Sequence, residues 1–227
     1  MRGTRLGLQE RGAERAAALA IIGPMLRVES APLTLAFVAA MLVIGSAAAS
    51  RGDDRQRVTV SDLDGRPVQP LASEPDAARA VVFVFTRSDC PIANRYAPDL
   101  ERLQRLAAAA GIDFWMVFVD PAESATDIRE HLQRFAYSGR ALRDPRHDLA
   151  RAAGATIAPE AAVFVRENGA PQLVYRGRID DRYQAAGRMR PAASTRDLEA
   201  VIHQVRDGGA PVMRQTQAVG CVIADLR

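Results

Sequence analysis

Cys90 is the residue of this chain best placed to do chemistry. It follows a run of apolar β-branched and aromatic residues at 80–85 and a polar bend at 86–89, and it directly precedes Pro91. Leucines at helical spacing begin at Leu100, so the thiol is expected where a buried strand passes into a helix. Unpaired backbone N–H groups at a helix start favour a thiolate, and proline suits the first helical turn. We therefore predict an exposed, reactive thiol rather than a small buried hydrophobe.

Cys221 is the second cysteine, and it lies close to the end of the chain. The two thiols are too far apart in sequence for a CxxC pair and too few for a four-ligand zinc site. A tail of about fifteen residues can span several tens of Å, so Cys221 can reach Cys90. Three relations stay open: a functional pair in which Cys221 resolves an oxidised Cys90, a structural disulfide, and two independent thiols.

Strands and helices are predicted to alternate around these cysteines. Strands are expected at 57–60, 66–69, 80–85, 112–119, 141–142, 161–165 and 172–176, and helices from Pro91 to near Gly111 and at 126–135, 146–153 and 194–207. A strand, a long helix and a strand over 80–119 form a βαβ unit with parallel strands. Ser194 and Asp197 indicate a capping box for the last helix, and the polar stretch 177–191 is expected to be a loop.

Composition and missing motifs exclude several classes of function. Hydrophobic residues make up 48% and charged residues 25% of the chain, as in ordinary globular proteins. The formal net charge is only +3, and no basic stripe interleaved with aromatics occurs, so we predict no nucleic-acid partner. The sequence has no Gly-rich phosphate loop, nucleophile elbow or HExxH motif, so we predict no nucleotide, no other cofactor and no hydrolase site.

The N-terminal extension, residues 1–49, has the features of an export signal. Residues 31–49 carry no charge, follow Arg27 and end in an Ala-rich run, so cleavage is expected after Ala49. Met25 is a candidate start that would give the signal an ordinary length. An uncleaved segment of this length could instead anchor the chain in a membrane. Either way, we expect the protein to be exported to the periplasm or another extracytoplasmic space.

The predicted domain organisation follows from these elements. A linker at 50–56 leads into a domain at 57–209, and a tail at 210–227 carries Cys221. The order of elements over about 57–207 is similar to the thioredoxin-like fold. Within that fold the chain most resembles the redoxin branch, related to the alkyl hydroperoxide reductase/thiol-specific antioxidant group. The resemblance implies an α/β fold with three layers, α/β/α, around a central mixed sheet, with an N-terminal β-hairpin and a C-terminal tail.

The resemblance also implies a set of site residues. Cys90 matches the family's reactive cysteine at the strand-to-helix junction, and Pro159 matches the cis-proline that faces it. Ala158 would then present its backbone N–H and C=O toward Cys90 for pairing with a substrate cysteine chain. Arg87 and Asn94, beside Cys90, complete the expected substrate-binding residues.

The chain departs from three related patterns. Ala93 stands where thioredoxins carry their second cysteine, and Asn94 stands where Sco-type copper chaperones carry theirs. Phe83 and Arg87 stand where peroxiredoxins have a proline and a threonine or serine. Each departure removes a side chain on which the reaction or metal binding of that family depends.

The resemblance implies an exported thiol–disulfide oxidoreductase or a peroxiredoxin-like antioxidant protein. Cys90 would be the nucleophile and Cys221 the candidate resolving thiol, acting on protein thiols and disulfides or on a small peroxide, with a thioredoxin-like reductant. One alternative is a Sco-like copper-binding module that uses both thiols and one of the three histidines, although each histidine alone is expected to be a solvated surface residue. The other alternative is a redoxin scaffold that only binds a partner.

Overall fold

The computed structural model describes residues 54–72, 77–167, 170–209, 213–224 and 226. All of them belong to one compact unit, Val43–Arg227. The predicted signal at 31–49, the candidate start Met25 and most of the linker lie outside the described residues. Within the described ranges, no helix is both long enough and apolar enough to cross a bilayer.

A mixed β-sheet forms the centre of the fold. Its eight strands in chain order are β1 (Val60–Asp62), β2 (Pro67–Val68), β3 (Ala80–Thr86), β4 (Asp113–Phe118), β5 (Arg140–Arg143), β7 (Glu160–Glu167), β8 (Ala170–Gly177) and β11 (Arg214–Gln215). Two short ladders stand apart from it: β6 (Ile157–Ala158) with β12 (Cys221–Val222), and β9 (Tyr183–Ala185) with β10 (Arg188–Met189). The helices are α1 (Pro91–Arg95), α2 (Ala97–Ala109), α3 (Ala125–Arg134), α4 (Asp148–Ala153) and α5 (Asp197–Arg206).

The strand order of the sheet is β11-β8-β7-β3-β4-β5-β1-β2. Strands β3, β4 and β5 are parallel, which confirms the predicted βαβ unit. Strands β7 and β8, at the strands predicted for 161–165 and 172–176, form an antiparallel hairpin, and β1 and β2 form the predicted N-terminal one. Because β7 pairs antiparallel with β3, the parallel and antiparallel halves meet at the strand that leads to Cys90.

Two apolar clusters cover the two faces of β3, whose seven residues are all buried. Val82 and Val84 belong to the cluster that contains buried residues of α2, α3 and α5. Phe83 and Phe85 belong to the cluster that contains α4, as the alternation of side chains along a strand requires. Each large apolar side chain buried in this way stabilises the fold by about 1.5–3 kcal/mol. The predicted three-layer arrangement is confirmed.

The helix after Cys90 differs from the prediction. It is interrupted at Tyr96, so that α1 has five residues and α2 begins at Ala97. Pro98 causes the break because it has no backbone N–H for the carbonyl of Asn94, four residues earlier. The apolar leucine spacing is retained in α2, where Leu100 and Leu103 are buried.

Two further predictions are wrong in detail. The stretch 177–191 is not an irregular loop throughout, because β9 and β10 form an antiparallel ladder inside it. Helix α5 begins at Asp197 and has no side-chain cap, so the predicted capping box with Ser194 does not form. The Asp197 carboxylate instead accepts hydrogen bonds from Arg178 and Arg214, each at 2.8 Å. Because the N-cap residue is Arg196, Ser194 lies two residues before the cap position and cannot cap the helix.

Candidate thiol site

Cys90 lies at the junction between β3 and α1, as the sequence predicts. It is the N-cap residue of α1, with φ −83° and ψ 111°, and Pro91 opens the helix. Its backbone N–H donates to the carbonyl of Arg87 at 3.3 Å, and its own carbonyl accepts from the N–H of Asn94 at 3.0 Å. The side chain makes no capping hydrogen bond. The backbone is therefore fixed on both sides while the sulfur stays available for other contacts.

The Cys90 sulfur is not exposed, so the prediction of an exposed thiol is wrong for this structure. The residue has an accessible fraction of 0%. Its thiol donates to the carbonyl oxygen of Ala158 at 3.2 Å, and Ala158 in turn lies opposite Cys221 in the β6–β12 ladder. Cys90 belongs to neither of the apolar clusters found in the described part of the chain. The sulfur is thus covered by a carbonyl and a second thiol rather than by core hydrocarbon.

Pro159 lies opposite Cys90, and the Ala158–Pro159 peptide bond is cis. This confirms the predicted cis bond. Ala158 is fully buried, and its carbonyl oxygen approaches the Cys90 sulfur as described above. Glu160 supports this loop, because its carboxylate accepts the backbone N–H groups of Thr156 at 2.8 Å and Ile157 at 3.2 Å. No sequence pattern indicates this support, because a lone glutamate in a strand has many uses.

The C-terminal tail reaches the site and covers it. Strand β12 pairs antiparallel with β6, with Cys221 opposite Ala158 and Val222 opposite Ile157. The N–H of Ile223 adds a hydrogen bond of 2.9 Å to the carbonyl of Thr156. The structure therefore brings Cys90, Cys221, Ala158 and Pro159 together.

Cys221 holds its proton tightly in this position. Burial is the largest cause that raises the pKa of the Cys221 thiol from 9.0 to about 12. The neighbouring Cys90 side chain and the negative charge of Asp89 raise this pKa too, whereas the charge of Arg87 lowers it. Cys221 therefore remains a protonated thiol at neutral pH.

The raised pKa of Cys221 predicts an unusual pH dependence of its alkylation. In the reduced protein, we expect the rate at Cys221 to rise about tenfold per pH unit between about pH 8 and 10 without a plateau, because only the thiolate reacts. Iodoacetamide labelling with mass quantification of the Cys221 peptide measures this rate.

The same shift makes stability depend on pH. The unfolded chain releases the proton of Cys221 near pH 9.0 and the folded chain near 12. The contribution of Cys221 to the free energy of unfolding is therefore intact below about pH 9 and lost as the pH rises toward 12. A plateau of the Cys221 alkylation rate near pH 9 contradicts both expectations, because it shows that the pKa of Cys221 is not raised.

Arg87 and Asn94 lie beside Cys90, but their side chains hold the loop. The guanidinium of Arg87 lies 2.9 Å from a carboxylate oxygen of Asp89 and 2.9 Å from one of Asp120. The amide of Asn94 donates to the carbonyl of Ser88 at 2.9 Å. Both residues thus fix the turn that leads into Cys90.

An acidic cluster lies next to this turn and consists of Asp89, Asp120 and Glu123. The three side chains offer oxygen atoms within 4.8 Å of one another. Arg87 neutralises part of this charge. Burial raises the pKa of Glu123, and its carboxylate accepts the backbone N–H of Ser88 at 2.6 Å. The cluster therefore stabilises the turn through hydrogen bonds and ion pairs.

Two histidines predicted to be solvated are buried. His131 lies among aromatic rings, 4.7 Å from the ring centroid of Phe135, and burial lowers its pKa. His147 is 3% exposed, and its Nε2 lies 2.8 Å from the carbonyl oxygen of Val119. Within the described ranges, the acidic cluster is the one group of three or more side chains arranged to hold a metal ion, and it contains neither histidine nor thiol.

Comparison with known proteins places this geometry in a family. The sequence profile of the Redoxin family matches residues 50–186. A hypothetical protein from Sinorhizobium meliloti 1021 is 22% identical with a TM-score of 0.60, covering 73% of this chain and 89% of that one. An uncharacterized conserved protein from Geobacillus kaustophilus is also 22% identical with a TM-score of 0.61, covering 73% and 86%. A thioredoxin-like protein from Aeropyrum pernix is 11% identical with a TM-score of 0.50, covering 73% and 99%. No curated protein matches the chain.

The mixed sheet, the helices on both its faces and these structural likenesses show a thioredoxin-like fold. The profile match covers more than half of the chain. The chain therefore belongs to the Redoxin family, and the resemblance inferred from Cys90 and Pro159 is confirmed.

Proposed function

We propose that this protein is a thiol–disulfide oxidoreductase whose redox pair consists of Cys90 and Cys221. The observation that carries the proposal is that both cysteines meet at Ala158: the Cys90 Sγ lies 3.2 Å from its carbonyl oxygen, and Cys221 pairs with it in the β6–β12 ladder. Cys221 thereby takes the role of the second cysteine, which thioredoxins carry at the position of Ala93. The chemistry needs two sulfurs within bonding reach, and the tail supplies the second one.

The reaction proceeds by two exchanges. The Cys90 thiolate attacks one sulfur of a substrate disulfide, so that a mixed disulfide forms and the other substrate sulfur leaves as a thiolate that takes a proton from solvent. Cys221 then loses its proton and attacks the Cys90 sulfur, which releases the second substrate thiol. The substrate gains two electrons and the pair becomes a disulfide. A dithiol reductant of the thioredoxin-like class restores both thiols, and the same steps run backwards when the substrate is a dithiol.

Several features favour disulfides over peroxides as substrates. Phe83, at the position of the peroxiredoxin proline, is fully buried in the apolar core. Arg87, at the position of the peroxiredoxin hydroxyl residue, is held in ion pairs with Asp89 and Asp120. The Cys90 sulfur faces a carbonyl and a strand-like segment, which suits a polypeptide more than a small peroxide. The exported location proposed from residues 31–49 provides disulfide substrates.

The test is oxidation of the reduced full-length chain with glutathione disulfide, followed by intact-mass measurement and peptide mapping. We expect a loss of two hydrogens and a Cys90–Cys221 cross-linked peptide, because Cys221 displaces glutathione from Cys90. The Cys221→Ser variant is the matched control and should keep one glutathione on Cys90. A stable glutathione adduct on Cys90 of the unaltered protein, without the cross-link, contradicts the proposal.

A further inference from the structure

The C-terminal tail shows how a polypeptide binds at this site. We propose that the groove beside β6 recognises substrate segments of the form Gly–Cys–x–aliphatic in an extended, antiparallel conformation, and that residues 220–223 are the built-in example. This inference rests on the proposed function, because the substrate cysteine is the one that exchanges with Cys90. It adds the sequence class of the substrate.

The backbone of the tail defines the direction and register of binding. Cys221 lies opposite Ala158 and Val222 opposite Ile157 in an antiparallel ladder. The N–H of Ile223 continues this ladder to the carbonyl of Thr156. An added strand obtains affinity from such main-chain hydrogen bonds and specificity from alternate side chains. A substrate that places its own cysteine against Cys90 uses the same edge of β6 in place of the tail.

Gly220 shows that the position before the cysteine has no room for a side chain. A Cβ atom there would lie 2.1 Å from the carbonyl oxygen of Ala158 and 2.6 Å from its carbonyl carbon. It would also lie 2.9 Å from Cγ2 of Ile157. Two of these three atoms belong to the backbone of the cis-proline loop, which Glu160 holds by two hydrogen bonds. Glycine is therefore required in this register.

The positions after the cysteine differ sharply in burial. Val222 is 69% exposed, so its place accepts any side chain. Ile223 is 3% exposed and belongs to the apolar cluster that includes Val117, Leu142 and Leu149. A substrate residue two places after the cysteine enters the same apolar cavity. The cavity admits aliphatic side chains and rejects charged ones, because an unpaired charge there is costly to bury.

The experiment uses the full-length Cys221→Ser variant, in which Cys90 is the sole thiol. The probe is the peptide Ala-Val-Gly-Cys-Val-Ile-Ala, blocked at both ends, with thionitrobenzoate attached to its cysteine through a disulfide. Release of thionitrobenzoate reports attack by Cys90. Three more peptides replace the glycine with alanine, the isoleucine with aspartate, or the valine after the cysteine with alanine. The tail of the variant competes equally with all four peptides, so the ratios of their rates are unaffected by it.

We expect the parent peptide and the valine-to-alanine peptide to react at the same rate, at least tenfold faster than the other two. Equal rates for all four peptides overturn the inference. In that case a reaction with the small disulfide dithiobis(nitrobenzoate) shows that the proposed exchange activity of Cys90 still stands. If neither the peptides nor the small disulfide react, both the inference and the proposed function are overturned.

Discussion

Replacing Cys90 with serine is expected to lower the rate of catalysed disulfide reduction by at least about a thousandfold, because the hydroxyl cannot replace the thiolate nucleophile. The assay follows reduction of a disulfide-bonded peptide by dithiothreitol with the protein in catalytic amounts. Replacing Cys221 with serine should leave the first attack intact and stop the second. When the reduced variant is mixed with the disulfide-bonded peptide without dithiothreitol, which would itself resolve the adduct, it should therefore accumulate a mixed disulfide between Cys90 and the peptide, detectable by intact mass.

The contrast between the two variants separates catalysis from folding. Both replace one sulfur with one oxygen, Cys90 at a buried and Cys221 at a partly buried position, so the thermal unfolding midpoint of each variant is measured alongside its activity. Turnover by the Cys90→Ser variant at the rate of the unaltered protein contradicts a role for Cys90 as the nucleophile. Failure of the Cys221→Ser variant to accumulate the mixed disulfide contradicts a resolving role for Cys221.

Replacing Ile223 with alanine is expected to raise the alkylation rate of Cys90 about thirtyfold. The side chain of Ile223 is almost fully buried, and truncating a buried isoleucine costs about 2 kcal/mol at the low end of the usual range. This loss weakens docking of the tail over Cys90 and raises the population of the open state by about a factor of 30, since each 1.36 kcal/mol is about tenfold. Labelling with iodoacetamide at fixed pH, quantified on the Cys90 peptide, measures the change.

The control for this prediction is Val222→Ala. Val222 is the neighbouring aliphatic residue in β12, but its side chain is 69% exposed, so its truncation should change the rate by less than about twofold. Equal acceleration by both variants indicates that any truncation at 222 or 223 loosens the tail. Unchanged labelling in the Ile223→Ala variant shows that burial of this side chain does not keep Cys90 covered.

Local sequence patterns were enough to predict the elements that position Cys90. The apolar run of β3 is continuous because the strand is covered on both faces. Cys90 and Pro91 then mark the start of a helix, and the structure has them there. Pro159 could be matched because it directly precedes a second recognisable strand, β7. Each of these signals lies within about ten residues of the feature it predicts.

The position of Cys221 could not be predicted in the same way. Strand β12 has two residues, too few to show a periodic pattern, and its partner β6 is equally short. Their pairing depends on contacts between distant parts of the chain, which no local pattern reports. The burial of Cys90 was missed for the same reason, because the tail covers it. The one available signal was Gly220, a glycine directly before a cysteine. Its role can be recognised only when the position of the facing carbonyl of Ala158 is known.

The tail is also fixed a short distance before Cys221. Strand β11 pairs parallel with β8. Just after β11, the N–H of Thr216 donates to the carbonyl of Arg176 at 3.0 Å, and the hydroxyls of Thr216 and Tyr175 lie 2.8 Å apart. When β12 leaves the groove, the tether from Thr216 to Cys221 limits the travel of the thiol to roughly 17 Å, at about 3.5 Å per extended residue. A short tether of this kind gives an effective concentration in the millimolar range or above. If Cys221 resolves adducts as proposed, any adduct on Cys90 meets an intramolecular competitor, and small thiols such as glutathione would not block Cys90 for long.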